Sequence, residues 1–261
     1  MPDMRAYPRS SRTRLPDRRA YPMVWPMRTT PAALHVPELA DEPGLIHGFS
    51  TVALGSVGLK HATDREAVLD SRRTFAGVLG LEDAELTTIG SVHGADVARV
   101  DAPSGAIDDV DALVTDRPGV AIFATYADCY PIVLWDPVRR VAGLVHAGWR
   151  GTQAGVARAA VTFMRNEFGA KHVVAGIGPG ICGRCYEVGE DVAGKFDARF
   201  VNPGPGGKWL LDLAAANQAQ LEQAGAMAVY DIGMCTKESY LFPSHRRHPD
   251  GTRFGAIVAL R

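Results

Sequence analysis

Short apolar runs, separated by polar or glycine- and proline-containing segments, cover the chain from residue 45 onward. The runs at 120–126, 131–135 and 141–145 are almost uninterrupted, which is typical of strands buried on both faces. Shorter runs rich in β-forming residues predict further strands at 45–50, 86–92, 96–100, 110–115, 172–177, 226–232 and 254–260. The pattern therefore predicts a protein built mainly from many short strands.

A different periodicity predicts helices between some of these strands. Thr63 and Glu66 have the spacing of a capping box, and they open an amphipathic segment that we expect to end near Gly80. Residues 151–168 place apolar side chains at every third or fourth position before Gly169, which predicts one long helix. Two more helices are expected near 188–198 and 212–224.

The strands predicted between residues 110 and 146 follow one another with no helix between them. A regular alternation of strand and helix around a parallel sheet therefore does not fit. We expect an α/β or α+β fold with a mixed sheet and helices outside it, in a single domain over residues 31–261. No apolar run approaches the ~18 residues that a membrane helix needs, so the sequence predicts a soluble protein.

Charge is unevenly distributed although the total is near zero. The chain has 28 Lys and Arg against 29 Asp and Glu, which indicates neither nucleic acid nor a membrane surface as a partner. Residues 1–30 nevertheless contain seven Arg, two Asp and five Pro, a net charge of +5, while residues 31–261 carry −6. We interpret the first segment as a disordered leader or a start codon placed too early, in preference to a basic arm for a polyanion. Four Cys are too few for a disulfide framework in a chain of this length, so a reducing, cytoplasmic location is expected.

Three residues with metal-binding side chains follow buried runs: His93, Cys129 and His146. Alone, each has an ordinary explanation, as a hydrogen-bonded histidine or a small buried cysteine. Together they form a set that neighbouring strand ends can bring into contact. Imidazole and thiolate suit zinc, and three protein ligands leave a fourth position open for water or substrate. Residues 148–151 add a glycine-rich helix start beside Arg150, which is suited to binding an anion or a phosphate.

The same segments carry a family resemblance. Residues 127–131 (ADCYP), 136–137 (DP) and 146–151 (HAGWRG) resemble the signature of the laccase-domain family. Further blocks resemble those of the family in the expected order, at 92–94, 178–181, 185–188, 212–217, 235–236 and 244–247. Members of this family are described as multicopper polyphenol oxidoreductases and as purine nucleoside phosphorylases with adenosine deaminase activity. The resemblance extends from about residue 44 to the C-terminus.

This resemblance implies a fold and a metal site. The fold is a four-layer α/β/β/α sandwich with mixed sheets, similar to the catalytic domain of cytotoxic necrotizing toxins. The metal is zinc, held by His93, Cys129 and His146. The chain departs from the family pattern at Ser91, where a Gln is usual, and at Val52, where an Arg is usual. The loop at 53–58 is also shortened, so the departures lie on the expected substrate side and leave the preferred substrate open.

The implied activity is zinc-dependent phosphorolysis of purine nucleosides (adenosine, inosine and methylthioadenosine), with a capacity for adenosine deamination. Zinc in such a site lowers the pKa of a bound water from ~15.7 towards ~7. Asp128 either moves a proton or orients a histidine ligand. Arg150, Arg246 and Arg247 are candidate contacts for phosphate or ribose. The expected partners are therefore small molecules, and the oligomeric state is left open.

Three alternatives remain. A copper-dependent polyphenol oxidase is disfavoured, because the chain has no His-x-His pair and only eight His in all. Cys129 with His146 as its base would make a hydrolase for an amide or a peptidoglycan precursor. A zinc-binding protein that has lost catalysis is the third. Separately, Cys182 and Cys185 are spaced like a redox pair or half a zinc site, but ordinary loop cysteines are the preferred interpretation.

Overall fold

The computed structural model describes residues 30–82 and 84–261, so the predicted leader lies almost entirely outside the described residues. The strands are β1 (Ala33–Leu34), β2 (Leu45–Ser50), β3 (Leu86–Gly90), β4 (Val97–Arg99), β5 (Ala106–Asp108), β6 (Ala112–Thr115), β7 (Ala121–Tyr126), β8 (Tyr130–Asp136), β9 (Val141–Ala147), β10 (Val174–Ile177), β11 (Glu187–Val188), β12 (Val201–Pro203), β13 (Trp209–Leu211), β14 (Ala228–Asp231) and β15 (Phe254–Leu260). The helices are α1 (Pro37–Ala40), α2 (Arg65–Val78), α3 (Trp149–Ala154), α4 (Val156–Phe168), α5 (Glu190–Ala193) and α6 (Leu213–Gln223). Short 3-10 turns lie at Val52–Leu54, Ala198–Phe200 and Pro205–Gly207.

Two six-stranded sheets form the centre of the fold. Their spatial orders are β1-β2-β15-β7-β3-β5 and β14-β10-β8-β9-β6-β4. Both sheets are mixed: β3 runs parallel to β7 in the first, and β10 runs parallel to β14 but antiparallel to β8 in the second. A third, small sheet has the order β11-β13-β12.

Three apolar clusters define the layers. The largest side chains between the two big sheets include Phe49 and Trp135, both fully buried. A second cluster lies between the β8–β9 sheet and helices α4 and α6, and it contains Val161 and Leu221. A third, smaller cluster joins α2 to the other sheet through Phe75 and its neighbours. The order is helix, sheet, sheet, helix, which confirms the expected four-layer sandwich with mixed sheets. Within the described part of the chain, no helix is long and apolar enough to cross a membrane.

Two helix predictions need correction. The segment 151–168 is not one helix, because Gly155 has φ 90 and ends α3 in a left-handed conformation before α4 begins. Helices commonly end on such a glycine, which lacks the Cβ that penalises this conformation. The predicted N-cap of α2 is also wrong by one residue. Ala67 N donates a hydrogen bond to the side chain of Asp64 at 3.0 Å, so Asp64 and not Thr63 is the cap.

The shortest elements were not predicted correctly because they have too few residues to show a periodic pattern. The helix expected near 188–198 contracts to α5, which has only four residues. Strands β11, β12 and β13 have two or three residues each, too few to show a period. By contrast, the predicted strands at 45–50 and 254–260 are confirmed over their whole length.

Candidate metal centre

Strand register brings the three predicted ligands together. β8 and β9 are antiparallel with Pro131 opposite His146, so Cys129, just before β8, lies beside the end of β9. β6 lies on the other side of β9, and the loop that carries His93 joins β3 of one sheet to β4 of the other. One ligand atom from each of His93, Cys129 and His146 lies within 4.8 Å of the other two.

The three side chains differ in exposure, which gives the site a closed and an open side. His146 is buried, Cys129 is half-buried, and His93 is exposed. The two imidazole rings meet edge to face, with centroids 5.0 Å apart. His93 has φ 63, a left-handed conformation that is uncommon for a residue other than glycine and that is enriched at functional sites. Two nitrogens and one sulfur form a donor set that fits zinc, with one side left for a further ligand.

Asp111, which sequence reasoning missed, organises the site from behind. It is fully buried, and its Oδ1 lies 3.2 Å from His146 Nδ1. Its carboxylate also accepts hydrogen bonds from the Ser91 hydroxyl and from the N–H groups of His93 and Gly94. A carboxylate only accepts, so His146 Nδ1 carries the proton and Nε2 is left for a metal. The signal in the sequence was an acidic residue inside the apolar run at 110–115.

Ser91 takes part in the same network. Its hydroxyl lies 2.7 Å from His146 Nδ1 and donates to Asp111. This is the position where the family pattern has Gln. The shorter side chain therefore still contacts the buried histidine and its carboxylate partner.

The charges of Cys129 and His146 depend on each other. Burial raises the pKa of the Cys129 thiol, but the charge of His146 and hydrogen bonds from both histidines outweigh it and bring the pKa to about 6. Burial lowers the pKa of His146, yet Cys129 and Asp111 outweigh that effect and raise it to about 9. Without metal, these pKa values favour a Cys129 thiolate paired with a protonated His146 at neutral pH. The thiolate is the form that binds metal, and a metal on His146 Nε2 would displace the proton there.

Gly148 leaves the space that the ligands occupy. A Cβ at this position would lie 2.9 Å from Cys129 Sγ and 3.0 Å from His93 Cδ2. The absence of a side chain here therefore allows the backbone at the start of α3 to pass directly beside the ligand set. This explains the first glycine of the HAGWRG block in physical terms.

Asp128 lies next to the site but holds a different part of it. Its Oδ1 accepts a hydrogen bond from Thr236 Oγ1 at 2.6 Å, and its Oδ2 accepts one from Arg246 N at 2.8 Å. It is buried and has φ 84. Of the two roles that the sequence left open, the hydrogen bond to a ligand histidine belongs to Asp111, while Asp128 binds the segments that carry Thr236 and Arg246.

The three predicted arginines have different surroundings. Arg150 is exposed, and its guanidinium lies 4.3 Å from the centre of the Trp149 ring. Arg246 is exposed as well, stacks on Tyr186 at 4.8 Å and donates to Glu187 O. Arg247 differs, because its guanidinium donates to four backbone carbonyls of its own region, those of Thr236, Lys237, Ser239 and Phe242. These contacts are those of a residue that holds a loop together.

A groove of about 360 Å³ lies between Trp149, Tyr186 and Arg246, with Lys208 also at its wall. Trp149 follows Gly148, which touches the ligand set, and Arg246 N is bonded to Asp128, which precedes Cys129. Burial raises the pKa of the Tyr186 hydroxyl to about 12, so this aromatic wall is neutral. The groove therefore combines aromatic faces, two cationic side chains and Glu187, and two of its residues are linked to the candidate metal centre through Gly148 and Asp128.

Comparison with known proteins identifies the family. The family model described as multi-copper polyphenol oxidoreductase laccase matches residues 46–261. The chain belongs to this family, which confirms the resemblance seen in its sequence blocks.

Several relatives have names that specify an activity. A protein of Deinococcus radiodurans named purine nucleoside phosphorylase is 37% identical over 246 residues, covering 87% of this chain and 92% of the relative. One from Streptomyces coelicolor with the same activity name is 41% identical over 223 residues, covering 82% and 91%. A protein from an unknown prokaryotic organism named adenosine deaminase is 38% identical over 183 residues, covering 63% and 70%.

Solved structures show the same fold. YlmD from Geobacillus stearothermophilus superposes with a TM-score of 0.79 at 30% identity, covering 90% of this chain and 98% of that one. The Bacillus licheniformis protein YfiH gives a TM-score of 0.81 at 26% identity, covering 89% and 97%.

Proposed function

We propose that the chain is a zinc-dependent purine nucleoside phosphorylase that also deaminates adenosine. The observation that carries this proposal is the cluster of His93, Cys129 and His146, together with a groove whose wall includes Trp149, the residue after Gly148. The names of the relatives from Deinococcus radiodurans and Streptomyces coelicolor support the phosphorylase activity, and the named adenosine deaminase supports the second one.

The ligand set favours zinc over a copper oxidase centre. Cys129 supplies a thiolate and the histidines supply imidazole nitrogens, with Asp111 fixing the tautomer of His146. In the described residues, no group of three or more potential ligands contains more than two histidines, whereas the trinuclear cluster of a multicopper oxidase needs several more. Zinc held here supplies Lewis-acid chemistry, which includes lowering the pKa of a water towards ~7.

The groove residues account for nucleoside binding. Trp149 and Tyr186 offer ring faces for the purine, and stacking of this kind contributes roughly 1–3 kcal/mol per base in other proteins. Arg150 and Arg246 each lie over one of these rings, so a purine would stack on the opposite ring face and the two guanidinium groups are our candidates for contacts to ribose and phosphate. Arg groups pair with phosphate in a bidentate manner, which orients it for attack on C1′ of the ribose.

Asp128 is our candidate for moving the proton. Among its described contacts, each carboxylate oxygen accepts one hydrogen bond, so each keeps a lone pair that can take a proton. In phosphorolysis the bond from C1′ to the purine breaks as the bond to phosphate forms, and the leaving base takes a proton. In deamination water adds at C6 and ammonia leaves. Both reactions need a group that transfers a proton beside the ligand set.

The test uses purified protein of known metal content. Adenosine, inosine and methylthioadenosine are each incubated with and without phosphate, and free base, ribose 1-phosphate and inosine are separated by chromatography. We expect free base only with phosphate, and inosine from adenosine without it. Arg150→Ala should raise the KM for phosphate, while Arg73→Ala on α2 serves as a matched surface control. If no product forms in any mixture and Cys129→Ala leaves the zinc content unchanged, the proposal is wrong.

A second candidate is favoured by one observation. Cys129 Sγ lies within 4.8 Å of a ring nitrogen of both His93 and His146, an arrangement that suits a thiolate nucleophile with a histidine base. Such a hydrolase would act on an amide without metal. Activity on an amide substrate that survives a chelator would favour this candidate, whereas loss of activity on chelation and recovery with zinc would exclude it.

A further inference from the structure

A second group of metal-binding side chains lies outside the site described above. It consists of Cys182, Cys185, Cys235 and Glu238, and one ligand atom from each lies within 4.8 Å of all the others. These three cysteines are free thiols, and neither the phosphorylase chemistry nor the proposed groove uses them. We call this group the Cys3Glu cluster.

The backbone builds the Cys3Glu cluster from two distant segments. Cys182 and Cys185 share a tight turn, closed by a hydrogen bond from Cys185 N to Cys182 O at 2.9 Å. Gly180 and Cys235 form a parallel β-bridge, which places the third thiol against this turn. Glu238 follows one turn later, where Ser239 N donates to Cys235 O. Three thiols converge here, so a disulfide between any two of them would leave the third without a cysteine partner in the cluster.

Polar groups contact the sulfurs of the cluster. Cys182 N donates a hydrogen bond to Cys235 Sγ at 3.3 Å. Cys185 Sγ lies 3.5 Å from Glu238 Oε1. The Arg184 guanidinium forms a salt bridge with Glu238 Oε2 at 2.8 Å. A positive charge therefore lies beside four side chains that can each become anionic. This charge partly offsets their mutual repulsion.

We propose that the Cys3Glu cluster is a second metal site, which binds structural zinc. Tetrahedral zinc with Zn–S bonds of ~2.3 Å separates its sulfur ligands by roughly 3.8 Å, a spacing compatible with the cluster. Three thiolates and one carboxylate complete four ligands, so this site is closed, unlike the open ligand set at His93, Cys129 and His146. A cavity of about 340 Å³ lined by Cys182, Gly183 and Arg184 gives an ion a path to the cluster.

A zinc ion here would hold a wall of the first site. Cys235 is followed by Thr236, whose hydroxyl donates to Asp128, and Ile181 N donates to Asp128 O. Both residues adjoin ligands of the Cys3Glu cluster. The proposed zinc therefore joins the two segments that hold Asp128, the residue before Cys129.

The experiment measures zinc per chain in full-length protein prepared under reducing conditions and loaded with zinc alone. We expect two zinc ions in the natural protein, one in Cys185→Ser and one in Cys129→Ala. Cys185 is chosen because it is half-exposed, whereas buried Cys235 is needed for packing. Circular dichroism and gel filtration establish that each variant is folded. Cobalt loaded into Cys129→Ala should show strong thiolate charge-transfer absorption, and Cys185→Ser combined with Cys129→Ala should lose it.

Thermal unfolding supplies a second measurement. A chelator should lower the Tm of Cys129→Ala, and it should leave the Tm of the variant that combines Cys129→Ala with Cys185→Ser unchanged. The proposal is overturned by one zinc per chain in the natural protein with all of Cys182, Cys185 and Cys235 reduced. A disulfide within this group in freshly reduced and zinc-loaded protein also overturns it, as does cobalt or zinc binding that Cys185→Ser leaves intact. Copper(I) bound in preference to zinc would overturn it too, because the proposed ion is zinc.

Discussion

Replacing Asp111 by Asn tests whether this carboxylate, through its hydrogen bond to His146 Nδ1, sets the zinc affinity of the candidate metal centre. The substitution keeps the size and shape of the side chain but exchanges one acceptor oxygen for an amide donor. Asp111 is fully buried and accepts hydrogen bonds from the Ser91 hydroxyl, from His146 Nδ1 and from backbone N–H groups that include those of His93 and Gly94. An amide at this place cannot accept all of them.

The expected loss follows from the tautomer of His146. An amide N–H directed at Nδ1 places the ring proton on Nε2, the atom that faces the other ligands. Outer partners of this kind typically contribute 10- to 100-fold to metal affinity. We therefore expect zinc to bind about 10- to 100-fold more weakly, which is roughly 1.4–2.8 kcal/mol. Unsatisfied N–H groups add a loss of apo-protein stability of about 1–3 kcal/mol.

The assay is competition for zinc against a chelator of known affinity, with urea unfolding of the apo-protein measured alongside. Asp128→Asn is the matched control, because it changes a buried carboxylate that precedes Cys129 but accepts from Thr236 and Arg246 N, not from a ligand histidine. Asn also tolerates the left-handed backbone of this position. Equal losses of zinc affinity in both variants, or a change below about threefold in Asp111→Asn, would refute the reasoning.

Three further predictions concern the glycine beside the ligands, a buried histidine and a helix cap. Gly148→Ala should lower zinc affinity and cost about 1–3 kcal/mol of stability, because the added Cβ would lie 2.9 Å from Cys129 Sγ. An unchanged zinc content and an unchanged urea midpoint would contradict this. Burial lowers the pKa of His47 from 6.5 to about 4, and its Nε2 accepts a backbone N–H. The unfolded chain therefore takes up the proton first as pH falls, so the stabilisation is complete above pH ~6.5 and is lost towards pH ~4, by roughly 2 kcal/mol between pH 7.5 and 5. Urea unfolding at both pH values checks this, and His47→Gln should flatten the dependence. Asp64→Ala should lower the free energy of unfolding by about 1 kcal/mol, whereas Thr63→Ala should change it by less than about 0.5 kcal/mol, as measured by thermal unfolding. A larger effect at Thr63 would favour the capping box of Thr63 and Glu66 instead.

Sequence reasoning predicted that the three candidate ligands are neighbours, because each follows an apolar run. A buried strand shows as a continuous hydrophobic segment, and a polar residue directly after it lies at a sheet edge. His93, Cys129 and His146 could therefore be selected one at a time, and the structure places their ligand atoms within 4.8 Å of each other. The family resemblance added the expectation that they act together.

The same reasoning was less successful where one residue had two local interpretations. Gly155 stands within an apolar periodicity that continues across it, so the segment predicted one helix, although the glycine ends the first of two. Thr63 and Asp64 are both suitable caps, and the structure selects Asp64. Local pattern limits such choices without deciding them, because the free-energy difference between neighbouring caps or helix ends is small.

The sequence by itself determined most kinds of element, the candidate ligand residues and the uneven charge, since these depend on composition and on periods of a few residues. Only the tertiary structure decided the partners of the charged groups. Asp111 and His146 are 35 positions apart, Asp128 and Thr236 are 108 apart, and strand order brings each pair together. The same holds for Cys235, which reaches the turn at Cys182 through one β-bridge. Hydrogen bonds across such separations depend on the order and register of the strands in the two sheets. The periodicity of hydrophobic residues along the chain contains no information about that order.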